Sequence, residues 1–153
     1  AKKAYTYHMI NSYPNPWDFS NKDKQMVSPD GEYRVEFVEL SEIAMGAPVG
    51  GECFLIYSDN SKERLSEWAG GPVVWQMQGG KVAFPVWTRA RDQRIAVADI
   101  NARTLTIYSP IFRVLDLKSF DQGIITGHDS PIHMTTAIDF DTAKEKIEKV
   151  KQF

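Results

Sequence analysis

The densest group of chemically capable side chains is the string His128-Asp129-Ser130-Pro131-Ile132-His133, which holds Ser, Asp and two His within six residues. Members of a Ser-His-Asp triad normally come from distant segments, because neighbours on one loop cannot easily point at one reacting atom. As a metal site, the two histidines and one nearby carboxylate lack a convincing third ligand, although Asp121 or Asp139 could serve. A turn in which Asp and Ser satisfy backbone groups is the favoured interpretation. The alternative is a metal- or small-ligand-binding protein, or a hydrolase, that uses the His128–His133 loop.

Two other candidates have structural explanations. Gly79-Gly80-Lys81 lacks the spaced first glycine, the Ser or Thr after Lys and the following helix of a phosphate loop, so it predicts a hairpin turn. Cys53 lies in a strongly apolar segment, where a cysteine is usually an inert core residue. No pair of carboxylates stands in an apolar setting that would drive their pKa values apart. The residues therefore predict no enzyme, no metal site and no cofactor.

One basic and aromatic cluster occurs at Thr88–Arg94, directly after Trp87. Such a cluster could contact phosphate groups or stack on bases. The formal net charge of −2 argues against a cationic binder of nucleic acid or membrane surfaces. A solvated loop whose arginines pair with nearby carboxylates is the favoured interpretation, and no direct contact with nucleic acid is expected.

The bulk composition fits one domain over residues 1–153 with a substantial core, because 42% of the residues are hydrophobic. One cysteine excludes an internal disulfide framework. No apolar run approaches the roughly 18–20 residues that span a bilayer. No apolar stretch follows Ala1-Lys2-Lys3, so no signal peptide is expected, although a cleaved one is compatible with a start at Ala. These features predict a cytoplasmic protein that does not bind membranes.

The stretch Gly70–Ile107 predicts the elements that organise the chain. Runs rich in Val, Ile, Phe and Trp alternate there with Gly, Asn and charged residues, which is typical of antiparallel strands. No interval leaves room for a helix. The predicted meander has four strands: Val73–Gln76, Lys81–Trp87, Arg94–Asp99 and Thr104–Ile107.

Segments on both sides of this meander read as partial copies of it. The predicted strands before it are Tyr33–Glu39, Cys53–Tyr57 and Glu63–Ser66, and those after it are Arg113–Leu117, Ile124–Thr126 and Met134–Phe140. Near the start, Ala4–Ile10 predicts another strand, and Asn11–Asp23 predicts a loop pinned by aromatic residues. At the end, Thr142 and Glu145 fit a capping box, and Ala143, Ile147 and Val150 recur at helical spacing. Residues 142–152 are therefore expected to form a closing helix.

Turn residues recur at a regular interval. Gly31, Gly80 and Gly123 lie 49 and 43 residues apart, and Asp59, Asn101 and Asp141 lie 42 and 40 residues apart. These intervals approximate the 40–45-residue period of a propeller blade. Ser28-Pro29-Asp30-Gly31-Glu32-Tyr33 resembles the turn of WD-type and Tol-type β-propellers, and Ala98-Asp99-Ile100-Asn101 is similar to a strand end in their blades.

The resemblance implies antiparallel four-stranded blades over residues 27–69 and 70–110, and a partial blade over 111–141. Residues 1–26 would cover an edge, and residues 142–153 would form the helix. Because propellers typically have 4–8 blades, 153 residues cannot close the ring. The expectation is a mainly β, open half-propeller of about two and a half blades. An ordinary β-sandwich is the alternative.

The resemblance also implies that Leu40–Gly51, Glu67–Pro72, Thr88–Gln93 and Ser109–Arg113 emerge on one face. This predicted face combines Trp, Arg and Met with carboxylates, a composition suited to a protein interface. Trp68 is the residue hardest to explain as core, because it precedes the loop-like Ala-Gly-Gly-Pro. The predicted partner-binding residues are Glu39, Glu42, Met45, Glu67, Trp68, Arg89, Arg91 and Asp92.

These features predict a non-catalytic protein-binding module. In size and character the chain is similar to small cytosolic immunity proteins of bacterial toxin–immunity systems. That resemblance implies binding and neutralisation of a cognate toxin, and the expected toxin is a basic nuclease that an acidic face would attract. A scaffold that completes its sheet by dimerising is a further possibility, so the sequence leaves monomer and dimer open.

Overall fold

The computed structural model describes residues 12–153. Within that range the chain forms one short 3-10 helix, Lys24–Met26, and eleven strands. The strands are β1 Arg34–Glu42, β2 Val49–Ile56, β3 Lys62–Ala69, β4 Val74–Trp75, β5 Lys81–Trp87, β6 Gln93–Asp99, β7 Thr104–Tyr108, β8 Leu115–Asp121, β9 Ile124–Asp129, β10 Thr136–Asp141 and β11 Ile147–Gln152. All of their pairings are antiparallel. The prediction of a mainly β, antiparallel fold is confirmed.

The strands form an eight-stranded sheet in the order β1-β2-β3-β5-β6-β7-β11, with β4 paired to β5, and a three-stranded sheet, β10-β9-β8. Within the larger sheet we call β1-β2-β3 the first sheet and β4-β5-β6-β7-β11 the middle sheet, and we call β10-β9-β8 the third sheet. The first and middle sheets join where Ala69 of β3 lies opposite Val86 of β5. The register between β3 and β5 holds that one pair, the shortest pairing along the path of the eight-stranded sheet.

The middle sheet has buried side chains on both faces. Along β5, Val82 and Phe84 enter a first core against the first sheet, while Ala83 between them enters a second core against the third sheet. On β6, Ile95 likewise faces the second core and Ala96 the first. Alternate residues of a strand point to opposite faces, so a near-continuous apolar run is what a strand between two cores requires.

The predicted strands of Gly70–Ile107 are confirmed, since β4 to β7 fall within one or two residues of the expected bounds. Strands also occur at the expected places before and after this stretch. The Pro-Asp-Gly turn is confirmed: Gly31 adopts a φ of 77° and donates its N–H to the carbonyl of Ser28 at 2.9 Å. Cys53 lies in β2 without exposure, and burial raises the pKa of its thiol.

The predicted C-terminal helix over residues 142–152 is wrong. Thr142 donates both its N–H and its hydroxyl to the carbonyl of Gly123, at 2.9 and 2.7 Å, so it does not cap a helix. Residues Ile147–Gln152 instead form β11, which pairs with β7. Ile147 and Val150, two residues of the predicted apolar stripe, are 49% and 54% exposed. A short helix without a buried face is marginal, whereas the open edge of β7 supplies backbone partners.

The segment before β1 packs on the first sheet. Asn21 accepts the N–H of Phe37 at 2.8 Å through its side-chain oxygen and donates its amide to the carbonyl of Phe37 at 2.9 Å. Phe19 packs edge-on against Phe37, with 5.2 Å between ring centroids. The predicted strand Ala4–Ile10 lies outside the described residues. Across residues 12–153, no helix has the length and apolarity to cross a membrane.

Candidate functional site

Two neighbouring cavities share Trp87, the last residue of β5, as a wall. The loop cavity, about 300 Å³, lies between the 43–48 segment and the loops that carry Arg91 and Arg113. The strand cavity, about 280 Å³, lies between the end of β3 and the outer strands β7 and β11. Trp87 itself is 7% exposed, so it forms a fixed partition between the two cavities. We call this region, together with Met45, the Trp87 surface.

Glycine residues allow Trp87 to sit this close to the backbone. A Cβ at Gly50 would lie 2.9 Å from Nε1 of Trp87 and 3.0 Å from Nε1 of Trp68. The two indole rings are tilted by 36°, with 6.0 Å between their centroids. The Nε1–H of Trp87 is buried and finds no acceptor among residues 12–153. Side-chain contacts across two sheets therefore build the floor of the surface.

The structure brings together five of the eight predicted partner-binding residues at these cavities. Glu67, Trp68 and Arg89 line the strand cavity, and Arg91 and Asp92 line the loop cavity. Met45 is fully exposed in the loop whose neighbours Ala44 and Ala47 line the loop cavity. Glu39 and Glu42 are exposed residues of β1, and they line neither cavity.

Two details of the predicted face need correction. Trp68 does not lie in a loop, because β3 continues to Ala69 and the indole packs on Trp87. Glu42 belongs to β1 rather than to the predicted connection Leu40–Gly51, whereas Glu39 lies in a strand as predicted and adopts a φ of 57° within a bulge of β1. Both errors arise because strand pairing, which extends β1 and β3, involves partners far away in sequence.

Trp87, Arg113, Lys149 and Lys151 are residues of the Trp87 surface that are absent from the eight predicted partner-binding residues. Lys149 and Lys151 line the strand cavity because β11 runs beside β7, which the predicted helix had hidden. Trp87 was treated as a neighbour of the basic cluster rather than as a wall of the site. The sequence does indicate such a role, because Trp87 ends a buried strand and precedes an arginine-rich loop, so it has both an apolar and a polar environment.

The carboxylates at or beside the surface each make a contact within the chain. Glu42 accepts the N–H of Gly46 at 2.8 Å, and Glu67 lies 3.2 Å from a guanidinium nitrogen of Arg64. Asp92 accepts the hydroxyl of Thr88. By contrast, Arg89, Arg91 and Arg113 are exposed, and the described part of the chain offers their guanidinium groups no ion pair.

The His128–His133 string does not assemble a catalytic triad. Asp129 accepts the backbone N–H groups of Arg113 and Val114, each at 3.0 Å, and the hydroxyl of Ser130 lies 3.4 Å from the same oxygen. His128 and His133 line different cavities. Within residues 12–153 no group of three or more His, Cys, Asp or Glu could hold a metal ion. His128 and Asp129 end β9 rather than lying in the predicted turn, and Asp129 anchors the segment before β8.

A third cavity, of about 240 Å³, contains a cluster that the sequence did not reveal. Asp116 of β8 lies opposite His128 of β9 in the strand register. One oxygen of Asp116, which is 5% exposed, lies 3.1 Å from Nζ of Lys118, and the other finds no hydrogen-bond donor in the described range. Burial raises the pKa of Asp116, and the charges of Lys118 and His128 oppose that rise.

Comparisons with known proteins found one similar solved structure. No protein-family model matches it, and no curated protein sequence matches it. Over 89% of its length it is similar to a solved structure, the β-propeller domain of the Trilobed protease from Pyrococcus furiosus, described as having an open velcro topology. The TM-score is 0.49 and the sequence identity 17%, and the match spans 45% of that chain.

Proposed function

We propose that the chain is a non-catalytic protein-binding domain that binds its partner through the Trp87 surface. The observation that carries this proposal is the pair of adjacent cavities with a shared tryptophan wall, surrounded by exposed charged side chains. Buried tryptophan next to arginine is the composition of interface residues that dominate binding energy. A polar rim around an apolar centre has the same character.

The dimensions favour a protein partner over one small molecule. Each cavity has a volume of about 300 Å³ or less, at the low end for pockets that enclose small ligands. Two shallow recesses on either side of Trp87 suit two side chains of one partner segment. Met45, whose side chain is fully exposed beside the loop cavity, adds an adaptable apolar contact.

The particular role that we propose is binding and neutralisation of a cognate toxin domain. The support is the general character of the chain, a small domain with a net charge of −2 and no assembled triad in its described part. Purified toxin should lose activity at a stoichiometric ratio of the two proteins. Loss of that inhibition in a Trp68→Ala variant would tie neutralisation to the Trp87 surface.

A capture experiment with matched methionine variants tests the binding surface. Met45 and Met77 are both exposed, at 100% and 68%, but Met77 lies in the turn between β4 and β5 rather than at the Trp87 surface. Tagged wild type, Met45→Glu, Trp68→Ala and Met77→Glu would serve as bait in lysate of the source cell. We expect Met77→Glu to retain the partner and the other two variants to lose it. Equal retention by all variants would refute the assigned surface.

A second candidate function, small-ligand binding, is supported by the cavity at Asp116. Its buried carboxylate has one oxygen that the described residues leave without a donor, and Trp17 and Lys118 line the same cavity. A ligand with an N–H or O–H donor suits that oxygen. Thermal-shift assays with a panel of small amines would compare wild type with Asp116→Asn. A shift confined to wild type supports this function, and no shift in wild type removes it.

A further inference from the structure

We infer that the partner of the Trp87 surface presents carboxylate groups beside an apolar side chain, an inference that rests on the proposed protein-binding function. It concerns the chemistry of the partner rather than the existence of one. It is supported by the contacts of the acids at the surface and by the positions of the arginines that have no ion pair.

The acids at or beside the Trp87 surface each make one contact within the chain. Glu67 pairs with Arg64, and Asp92 accepts the hydroxyl of Thr88. Glu42, next to the loop cavity, accepts the N–H of Gly46. These contacts offset part of the negative charge near the surface, although the side chain of Glu67 is 79% exposed and its ion pair is weak.

Some arginines, by contrast, form no ion pair within the described part of the chain. Four of the seven form ion pairs within the chain, namely Arg34 with Glu36, Arg64 with Glu52 and Glu67, Arg94 with Glu148, and Arg103 with Glu63. The other three, Arg89, Arg91 and Arg113, have no ion-pair partner among residues 12–153, and each of them lines a cavity beside Trp87. Lys149 and Lys151 line the strand cavity beside Arg89. The three arginines without an ion pair in the described range therefore lie on one surface.

Carboxylates with an apolar neighbour fit this surface best. The guanidinium group binds carboxylate through paired N–H groups, and such charge-assisted bonds are stronger than neutral ones. Ile43, Ala44, Ala47 and Pro48 make the loop cavity apolar, so it suits an aliphatic or aromatic side chain. A nucleic-acid backbone would engage the arginines but would leave this apolar wall unfilled. The local charge thus replaces the expectation of a basic partner, which came from the net charge of the whole chain.

A charge-reversal experiment tests the inference with a control of equal net charge. Arg91→Glu/Arg113→Glu and Lys22→Glu/Lys24→Glu both change the net charge by the same amount, and the two lysines are exposed residues outside the surface. The bait is the full chain, and the lysate is treated with nuclease beforehand. We expect the arginine double variant to recover the partner at least about tenfold less than wild type, and the lysine double variant to equal wild type. Rising salt should weaken capture by wild type.

The outcomes separate this inference from the proposed function. If Met45→Glu abolishes capture while the arginine double variant retains or increases it, the protein-binding surface stands and the acidic partner is refuted. If neither variant affects capture, both fail. If nuclease treatment removes the captured material, the partner is a nucleic acid and the inference is overturned.

Discussion

Asp116 shows how one residue can couple the fold to pH. Its carboxylate lies between β8 and β9 with one oxygen on Lys118 and the other buried without a donor in the described range. Taking a carboxylate out of water disfavours its charged form, so burial raises its pKa, and nearby positive charges restore part of the loss. The ionised form of Asp116 is therefore less favourable in the folded chain than in the unfolded chain.

We predict that Asp116→Asn becomes more favourable as the pH rises. Because the pKa of Asp116 is higher in the folded than in the unfolded state, its contribution to stability is complete below the ordinary value of 3.8. That contribution falls as the pH rises through the folded-state value, and Asn does not titrate. Urea unfolding from acidic to neutral pH should show the free energy of unfolding of Asp116→Asn rising relative to that of wild type. A constant difference between the two would contradict the assigned pKa direction.

Gly50 provides a test of how the two tryptophans are held. A methyl group there would meet the indole nitrogens of Trp87 and Trp68 at 2.9 and 3.0 Å, so both rings must move. We expect Gly50→Ala to cost about 1–3 kcal/mol of stability and to alter the near-UV circular dichroism of the tryptophans. Gly31→Ala is the control, because its Cβ meets no atom within 4 Å although its φ is 77°. It should lower stability through backbone strain alone and leave the tryptophan signal unchanged.

At the scale of elements, the sequence predicted strands well and failed where pairing was non-local. Lys81–Trp87 and Thr104–Ile107 could be read from local apolar runs and turn residues, and they correspond to β5 and β7. Residues 142–152 carry a helix-like spacing but take their conformation from the free edge of β7, about forty residues earlier. Trp68 was placed in a loop for the same reason, because its packing partner is Trp87 rather than a neighbour in sequence.

The strand β11 should be the first element of the middle sheet to open. All six of its side chains are exposed, so little apolar burial opposes its release from β7. Its lysines suit an edge strand, because their charge discourages pairing with other chains. Hydrogen–deuterium exchange should show faster exchange in Ile147–Gln152 than in β6, whose residues are mostly buried. Equal protection of the two strands would show that β11 is part of the most stable unit.

At the scale of the molecule, the middle sheet links two cores, and neither core can be recognised from a single segment of the sequence. Along β5 and β6, neighbouring side chains point into opposite cores. A continuous apolar run in the sequence predicts burial on both faces of a strand, but it does not predict which elements cover each face. The residue composition of the predicted partner face could likewise be read from the loops. Its available charge could not, because the pairing of Glu67 with Arg64 and the isolation of Arg113 emerge only after folding.

The shared middle sheet predicts that both cores unfold in one transition. Phe84 belongs to the first core and Phe120 to the second, and the two side chains are 0% and 1% exposed. Each Phe→Ala substitution should cost about 3–5 kcal/mol, because it removes buried surface and leaves a cavity. Val150→Ala on exposed β11 is the control and should change stability by no more than about 0.5 kcal/mol.

Since β5 and β6 carry residues of both cores, loss of one core removes the support of the other. Urea unfolding followed by tryptophan fluorescence and by far-UV circular dichroism should therefore give coincident curves for both core variants. Two separate transitions in Phe120→Ala would mean that the third sheet unfolds independently of the first two.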